Sequence, residues 1–251
     1  KPNSITGLFQ EEAATKIQSA LNGTLTTFLP DKTIFSETDF IYKKIKDLLR
    51  ERAYLASKIF FHLTDNRDGN GANFYFDGGI RSLVAHLNQN KKHLSSIFWV
   101  KKEVQNKMPI EVEVAMQYHD DFNETIQSFA NVINTKDGGT HLTGFRSALS
   151  KALKDYMDKH GIKEDKSEIT ADDLKEGLTA VVWVKMPASE IQFESQTKTK
   201  LNNAEAQSVV YSVTKEGLDF FLEEHPADAK RILEKVMLAA KARLAARAAR
   251  D

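Results

Sequence analysis

The sequence contains no cysteine among its 251 residues, and this absence excludes both a disulfide framework and a thiolate zinc site. An excess of charge of either sign is also missing, because 35 Lys and Arg residues balance 35 Asp and Glu residues. A net charge of zero provides no overall basic field for nucleic acid, although a local basic surface can still exist.

Long hydrophobic runs are absent as well. No apolar stretch approaches the length of about 18 residues that a membrane-spanning helix requires, and the first residues lack the hydrophobic region of a signal peptide. We therefore expect a cytoplasmic protein. Its length suits one large domain or two small ones and is sufficient to bury a sizeable core.

Familiar catalytic motifs are missing too. The sequence has no G-x-S-x-G, no G-x-G-x-x-G and no convincing Ser/His/Asp grouping. None of the seven histidines has a second histidine three or four residues away, so zinc chemistry is disfavoured. By itself, this chain does not resemble a complete enzyme.

Hydrophobic periodicity predicts an α+β fold, with a mixed sheet and helices on one face. Residues 58–79 have the pattern of a β-hairpin. Residues 110–118, "IEVEVAMQY", alternate as a strand with one face packed and the other in contact with water or a partner. Residues 124–135 predict a further strand, residues 140–161 a helix ended by glycine, and residues 177–186 a strand buried on both faces.

The C-terminal segment, residues 201–251, predicts two helices. Residues 226–251 carry seven Lys or Arg residues and three acidic residues, so this segment has a net charge of +4. Its alanine-rich composition predicts a slim, basic helical stalk.

Two glycine turns precede predicted helices, "KDGGTH" at residues 136–141 and "FDGGIR" at residues 76–81. Such turns can cradle a phosphate with their N–H groups, but they also form ordinary tight turns before helices. Because the same Gly-Gly turn occurs twice, the ordinary tight turn is the favoured interpretation of both. His141 is a possible catalytic group, but a histidine that bonds to the backbone at the helix start is the favoured interpretation.

A loop rich in lysine and threonine, "QFESQTKTKL", occupies residues 192–201 and contains no glycine. Such a loop is usually only solvated, and spacing alone favours that interpretation. The alternative is an anion sensor, because a contact between a lysine and a phosphate contributes about 1.5–3 kcal/mol.

Four stretches, in the same order, resemble the transducer region of the DNA gyrase B family of type IIA topoisomerases. They are "EVEVAMQYHDDFNETIQSFANVINTKDGGTHLTGFRSAL", "EGLTAVVWVKMP", "QFESQTKTKL" and "HPADAKRILEKVMLAAKARLAARAARD". The resemblance implies the transducer fold shared with the second domain of a small-subunit ribosomal protein, with a left-handed β-α-β crossover followed by a long C-terminal helical stalk.

The resemblance extends from about residue 23 to the end of the chain and implies three segments. Residues 1–22 fit the family pattern poorly and are either the tail of an ATPase domain or foreign to the family. Residues 23–200 correspond to the transducer domain, which ends in the QTK loop. Residues 201–251 correspond to a helical stalk that leads toward the TOPRIM region.

The resemblance also assigns roles to individual residues. Gln196 and Lys198 match the residues that contact the γ-phosphate of ATP, and Thr197 is implied only as a member of the loop. Arg146 falls where the family places a basic residue on the wall of the cavity that holds DNA. Ser195 stands where family loops often have glycine, and since serine adopts a positive φ less freely, loop flexibility is expected to differ. No residue is assigned to a metal.

Cofactors and partners follow from the same resemblance. The complete enzyme would use ATP with Mg²⁺ and act on double-stranded DNA. Its partners would be the GHKL ATPase domain and TOPRIM region of the same polypeptide, the gyrase A subunit, and a second copy held through the ATPase domain.

The family's catalytic glutamate, magnesium-binding asparagine, TOPRIM acidic cluster and DNA-attacking tyrosine are not found in these residues. We therefore expect the chain alone to be inactive, as a fragment of an ATP-hydrolysing DNA topoisomerase. Two alternatives stay open: the equivalent subunit of topoisomerase IV, and a non-catalytic binding module of the same fold.

Overall fold

The computed structural model describes residues 28–162 and 169–249. The segment of uncertain origin, residues 1–22, lies outside the described residues. The chain divides into two compact units between Phe76 and Asp77. The single domain expected over residues 23–200 therefore contains a division that the resemblance did not reveal.

The first unit contains one described helix, α1 (Tyr42–Leu55), and the expected hairpin. Strands β1 (Phe61–Asp65) and β2 (Asn70–Phe74) pair antiparallel, as the sequence predicted. Helix α1 is held within this unit by aromatic contacts, since the ring of Tyr54 stacks on Phe76 with centroids 3.8 Å apart. The preceding residues expose several large apolar side chains, among them Phe28 and Leu29.

The second unit is built on a five-stranded mixed sheet in the order β3-β4-β7-β5-β6. Its strands are β3 (Phe98–Gln105), β4 (Pro109–Tyr118), β5 (Thr125–Ala130), β6 (Ile133–Asn134) and β7 (Leu178–Lys185). Strands β5 and β7 are parallel and all other neighbours are antiparallel. Together with the five helices of the described residues, this sheet confirms the α+β class.

Four helices belong to the second unit: α2 (Ile80–Leu87), α3 (Thr140–Lys159), α4 (Ala204–Glu224) and α5 (Pro226–Ala248). Helix α3 connects β5 and β6 with β7, so parallel strands β5 and β7 belong to a β-α-β unit. The left-handedness of this crossover stays a prediction. Within the described residues, no helix is both long enough and apolar enough to cross a membrane.

The prediction that helices cover only one face of the sheet, and that the second face of β4 contacts water or a partner, was wrong. On the second face, Glu113 and Gln117 are only 7% and 4% exposed. Helix α2 approaches this face, and Asn88 just beyond it donates to Gln117 Oε1 at 3.0 Å. Glu113 accepts a hydrogen bond from the indole N–H of Trp99 at 3.0 Å. These hydrogen bonds satisfy polar atoms that burial removes from water.

Residues 124–135 form two strands rather than the single strand that was predicted. A turn at Asn131, which has φ of +52°, separates β5 from β6. Asparagine tolerates this left-handed conformation better than most residues. Its side chain also bonds the backbone of Met186, with N···O distances of 3.0 and 2.9 Å. The side chain of Asn131, just after β5, is therefore bonded to the residue that follows β7.

The core of the second unit continues into both C-terminal helices. Buried side chains of α4 and of the first half of α5 share one apolar cluster with the sheet, among them Val210, Leu218, Ile232 and Val236. Residues from 241 to 249 include none that is buried. Packing thus continues about forty residues beyond the expected stalk boundary at residue 201.

The exposed end of α5 is tied to this core by an ion pair between Arg243 and Asp173. Arg243 Nε lies 3.0 Å from Asp173 Oδ1, and Asp173 is only 4% exposed. Asp173 also accepts the N–H of Thr170 at 2.7 Å. The next residue, Leu174, accepts a hydrogen bond from the hydroxyl of Tyr118 at the end of β4, at 2.6 Å. Polar contacts of residues 173 and 174 therefore connect the end of strand β4 to the last turns of α5.

We expect Arg243→Ala to lower the free energy of unfolding by about 1.5–3 kcal/mol at pH 7, because a buried carboxylate loses its charged donor. Burial raises the pKa of Asp173, but hydrogen bonds from Arg243 and Thr170 outweigh it and the pKa is lowered. A lowered pKa stabilises the fold above the unfolded value of about 3.9, and this contribution is lost as the pH falls below it. Urea titrations at pH 7 and pH 3 should therefore show that the difference in free energy of unfolding between the unsubstituted chain and Arg243→Ala is smaller at pH 3.

The matched control for this ion pair is Arg247→Ala, which removes an exposed arginine one turn further along α5. Its stability should stay close to that of the unsubstituted chain. Equal stabilities of the two variants at pH 7 would contradict the assigned role of Arg243.

Candidate functional site

The loop of residues 192–201 is closed at its base by backbone hydrogen bonds. The N–H of Glu194 donates to Lys200 O at 3.0 Å, and the N–H of Asn202 donates to Gln192 O at 2.9 Å. Phe193 and Leu201 form an antiparallel bridge between the two arms. Because these bonds join the two arms, the tip projects from a defined base rather than from a free coil.

Asn203 anchors this base at the start of α4. Its side chain is only 3% exposed, accepts the N–H of Gln192 at 2.7 Å and donates to Glu190 O at 2.8 Å. Sequence reasoning missed Asn203. The available signal was an asparagine immediately before a helix, which is a common N-cap position, but here the side chain bonds to the loop and makes no capping bond.

The tip of the loop turns at Lys198, which has φ of +57°. The N–H of Lys198 donates to Ser195 O at 3.0 Å, and the hydroxyl of Ser195 lies 2.7 Å from that of Thr197. A left-handed conformation costs a non-glycine residue roughly 1 kcal/mol. Ser195 is not among the described residues with positive φ, so this position accepts serine without backbone strain. Its expected effect on loop flexibility stays a prediction.

The two lysines of the loop have different electrostatic environments. Lys200 Nζ lies 2.8 Å from Glu194, and this contact, together with the charge of Asp137, raises the pKa of Lys200. Lys198 is exposed and forms no ion pair with any described residue. The side chain of Gln196 is also exposed. The tip therefore exposes the Lys198 ammonium, which has no ion-pair partner among the described residues, and the side-chain amide of Gln196.

The turn before α3, at residues 136–140, is bonded to the C-terminal arm of the loop. Its contacts are Asp137 N–H to Thr199 O at 2.9 Å, Leu201 N–H to Gly138 O at 3.1 Å, and Thr140 N–H to Leu201 O at 3.1 Å. These amide groups already have partners within the chain. The geometry therefore favours the tight turn over the open phosphate cradle.

The same turn also lines a groove of 520 Å³. Lys136, Asp137 and Gly138 line it together with Arg146 and Glu124. Arg146 Nη2 lies 3.5 Å from Glu124 Oε1, and its side chain is 43% exposed. The structure thus places Arg146 in a polar concave site, whereas the loop tip at residues 196–198 is not part of its lining.

His141 is buried at the start of α3. Its Nε2 lies 3.1 Å from the hydroxyl of Thr135, which in turn contacts Ser128. The expected bond from this histidine to the backbone is replaced by a side-chain network between α3, β5 and β6. Burial lowers the pKa of His141 to about 4. A neutral, enclosed imidazole with this environment suits a structural role. Within the described residues, no group of His, Asp and Glu could hold a metal ion.

A second buried histidine, His119, lies at the end of β4. Burial, reinforced by the Lys91 ammonium at 3.2 Å, lowers its pKa to about 4. A histidine whose pKa is lowered on folding stabilises the fold above the unfolded pKa of about 6.5, and this contribution is lost as the pH falls toward 4.

We expect His141→Gln to reduce the pH dependence of stability. The advantage of the unsubstituted chain over the variant should shrink between pH 6.5 and pH 4, because only the imidazole acquires a buried charge. Urea midpoints measured at four pH values across this window test whether the advantage of the unsubstituted chain falls as the pH falls. His160→Gln, at an exposed histidine after α3, is the control. A difference between the chain and His141→Gln that does not change with pH would contradict the effect of burial.

Comparison with known proteins agrees with these features. The DNA gyrase B family model matches residues 79–251, which is more than half of the chain. The gyrase B protein of Cytophaga hutchinsonii is 45% identical over 242 residues, covering 93% of this chain and 50% of that protein. The B-type subunit of DNA topoisomerase 4 from Streptococcus pneumoniae serotype 4 is 41% identical over 222 residues, covering 88% and 34% respectively.

A solved structure supports the same relationship. The 43K ATPase domain of Thermus thermophilus gyrase B, in complex with an aminocoumarin, has a TM-score of 0.75 and 41% identity, covering 88% of this chain and 59% of that one. The fold and these likenesses define part of a B-type subunit of the type IIA topoisomerases. The chain belongs to the DNA gyrase B family. It spans half or less of the length of the curated relatives named above.

Proposed function

We propose that the second unit is the transducer of an ATP-dependent type IIA DNA topoisomerase subunit. In this role, it couples ATP binding and hydrolysis in a preceding GHKL domain to strand passage and negative supercoiling of DNA. The observation that carries the proposal is the uncommitted ammonium of Lys198, held at the tip of an anchored loop in which the other lysine, Lys200, is paired.

The residues at the tip fit a terminal phosphate group. Lys198 offers three N–H donors and Gln196 offers two, whereas phosphate oxygens are acceptors. A charge-assisted contact of this type contributes about 1.5–3 kcal/mol, more than a bond between neutral groups. Bound ATP supplies the terminal phosphoryl group, and its loss on hydrolysis removes the acceptor. Thr197 stays assigned only as a member of the loop, and Mg²⁺ is assigned to the preceding domain.

The physical basis of coupling is a difference in contacts between two states. A ligand shifts a conformational equilibrium only as far as it binds one state more tightly than the other. Lys198 and Gln196 would contact phosphate only when the nucleotide-binding domain is closed over the loop. Loss of the phosphate would therefore release the loop and the unit that carries it.

The groove around Arg146 supports a contact with the transported double-stranded DNA. Arg146 and Lys136 supply positive charge in a concave site, while Glu124 limits the charge that is available to a ligand. Cations in such a site attract phosphates in a salt-dependent manner. The gyrase A subunit, the TOPRIM region and a second copy joined through the ATPase domain are the remaining partners in this proposal.

The equivalent subunit of topoisomerase IV is a second candidate, favoured by the 41% identity to the Streptococcus pneumoniae protein. The complete protein, assembled with its partner subunit and relaxed circular DNA, discriminates between the two. Negative supercoils in the product support gyrase, and decatenation without supercoiling supports topoisomerase IV. A complete protein that has no GHKL domain would support a non-catalytic binding module instead.

We expect Lys198→Ala in the complete protein to lower kcat/KM for ATP about 10- to 150-fold, which corresponds to the loss of one charged contact. Supercoiling should fall in parallel. Lys200→Ala is the matched control, because it removes the same charge from the same loop but from a lysine paired with Glu194. Steady-state ATPase assays and circular dichroism spectra test activity and folding together. Normal supercoiling by Lys198→Ala would refute the sensor role.

We expect Arg146→Glu to preserve ATP hydrolysis in the absence of DNA but to reduce the number of supercoils introduced per ATP hydrolysed. A glutamate beside Glu124 makes the groove repel phosphate instead of attracting it. Lys151→Glu is the control, since it introduces the same charge change at an exposed position of α3 that does not line the groove. An unchanged ratio of supercoils to ATP in Arg146→Glu would remove the DNA contact from the proposal.

A further inference from the structure

We propose that the turn at residues 137–140 is the positioning element that links the loop of residues 192–201 to the groove around Arg146. It would transmit a displacement of the loop to the start of α3, and so to the groove wall. This inference rests on the proposed function, because it concerns how the two sites of that function communicate. Within the turn, Gly139 lies closest to the backbone of the loop.

On the loop side, the turn holds the C-terminal arm through three backbone hydrogen bonds. Leu201 is bonded on both sides, donating to Gly138 O and accepting from Thr140 N, each at 3.1 Å. Asp137 N–H reaches Thr199 O at 2.9 Å. Such bonds weaken steeply when their alignment is lost. Leu201 therefore cannot shift far without either moving the turn with it or breaking these bonds.

On the groove side, the same turn forms part of the wall. Asp137 and Gly138 line the groove, and α3, which carries Arg146, begins at Thr140. The N–H of Thr140 is one of the groups bonded to Leu201, so a displacement of that arm acts on the first residue of the helix. The turn at residues 137–140 is thus in direct contact with both the loop and the groove.

Only glycine permits the close approach at the centre of this turn. Gly139 has φ of +132°, and a Cβ at this position would lie 2.3 Å from Leu201 O and 2.5 Å from Leu201 N. Those are backbone atoms, so a side chain at residue 139 would have to displace the arm. Gly138 has φ of +75°, but its Cβ would meet the end of the Leu142 side chain at 2.8 Å, which can move aside.

A longer-range charge interaction accompanies the backbone link. The carboxylate of Asp137 contributes to the raised pKa of Lys200, whose ammonium is bonded to Glu194. Asp137 therefore faces the loop through its charge and its N–H while it also lines the groove. Both links involve the same turn, and neither requires Lys198.

The test compares glycine substitutions in the complete protein, assembled with its partner subunit. Gly139→Ala forces the arm away from the turn, whereas Gly138→Ala strains the positive φ of residue 138 and meets only a side chain that can move aside. Gly161→Ala is the matched control, since Gly161 follows the other end of α3, has φ of +63° and has nothing within 4 Å of a built Cβ. ATP hydrolysis is measured with and without linear double-stranded DNA, and supercoils are counted per ATP.

In Gly139→Ala, the DNA-independent ATPase rate should fall as well, because the displaced arm carries the loop, so the readout is the ratio of the rates with and without DNA. Stimulation by DNA should fall about 5- to 150-fold, the range of a typical coupling free energy between sites. Gly138→Ala should lose less, and Gly161→Ala should match the unsubstituted protein in stimulation. Hydrogen exchange of the peptides that contain Thr140 and Leu201 should accelerate in Gly139→Ala and not in Gly161→Ala.

The outcomes separate this inference from the proposed function. Full DNA stimulation in a folded Gly139→Ala protein, with Lys198→Ala impaired, overturns the coupling role of the turn but leaves the sensor role intact. Full activity of Lys198→Ala overturns the proposed function. If Gly139→Ala does not fold, Gly138→Ala decides. DNA stimulation below that of Gly161→Ala supports the coupling role of the turn, and stimulation equal to that of Gly161→Ala overturns it.

Discussion

The close contact between Gly139 and the backbone of Leu201 is the constraint on which the described site depends. It fixes the C-terminal arm of the loop against the start of α3. A second glycine continues the same contact one turn later, because a Cβ on Gly144 would lie 2.3 Å from Gln207 O in α4. Because Gly139 and Gly144 have no side chains, residues 201–207 can run close beside the start of α3.

Charge in this chain is distributed by local pairing rather than by an overall field, as expected for a net charge of zero. Lys200 is neutralised by Glu194, and Arg146 lies near Glu124. Lys198 has no such partner among the described residues. Each surface pair contributes little to stability. Its main effect here is that Lys200 is engaged by a carboxylate whereas Lys198 is not. It leaves one ammonium of the loop available to an external anion.

Sequence patterns predicted the elements whose signal is local. The hairpin, helix α3 and the doubly buried strand β7 were predicted because turn residues and periodicity are encoded within each segment. The buried second face of β4 was missed, since its cover by α2 is a tertiary contact. Asn203 was missed for the same reason. Lys198 and Gln196 came from family resemblance, because spacing alone favoured a solvated loop.

Packing also determines where a displacement of the loop can produce relative motion. Helix α4 and the first half of α5 share the core of the sheet, so they pack with Leu201 at the loop base as one body. The ion pair between Arg243 and Asp173 extends this body to the second-last turn of α5. Bending within a free stalk from residue 201 would require that core to open. In the proposed function, a swing of the transducer would therefore carry α5 with it at least as far as Arg243.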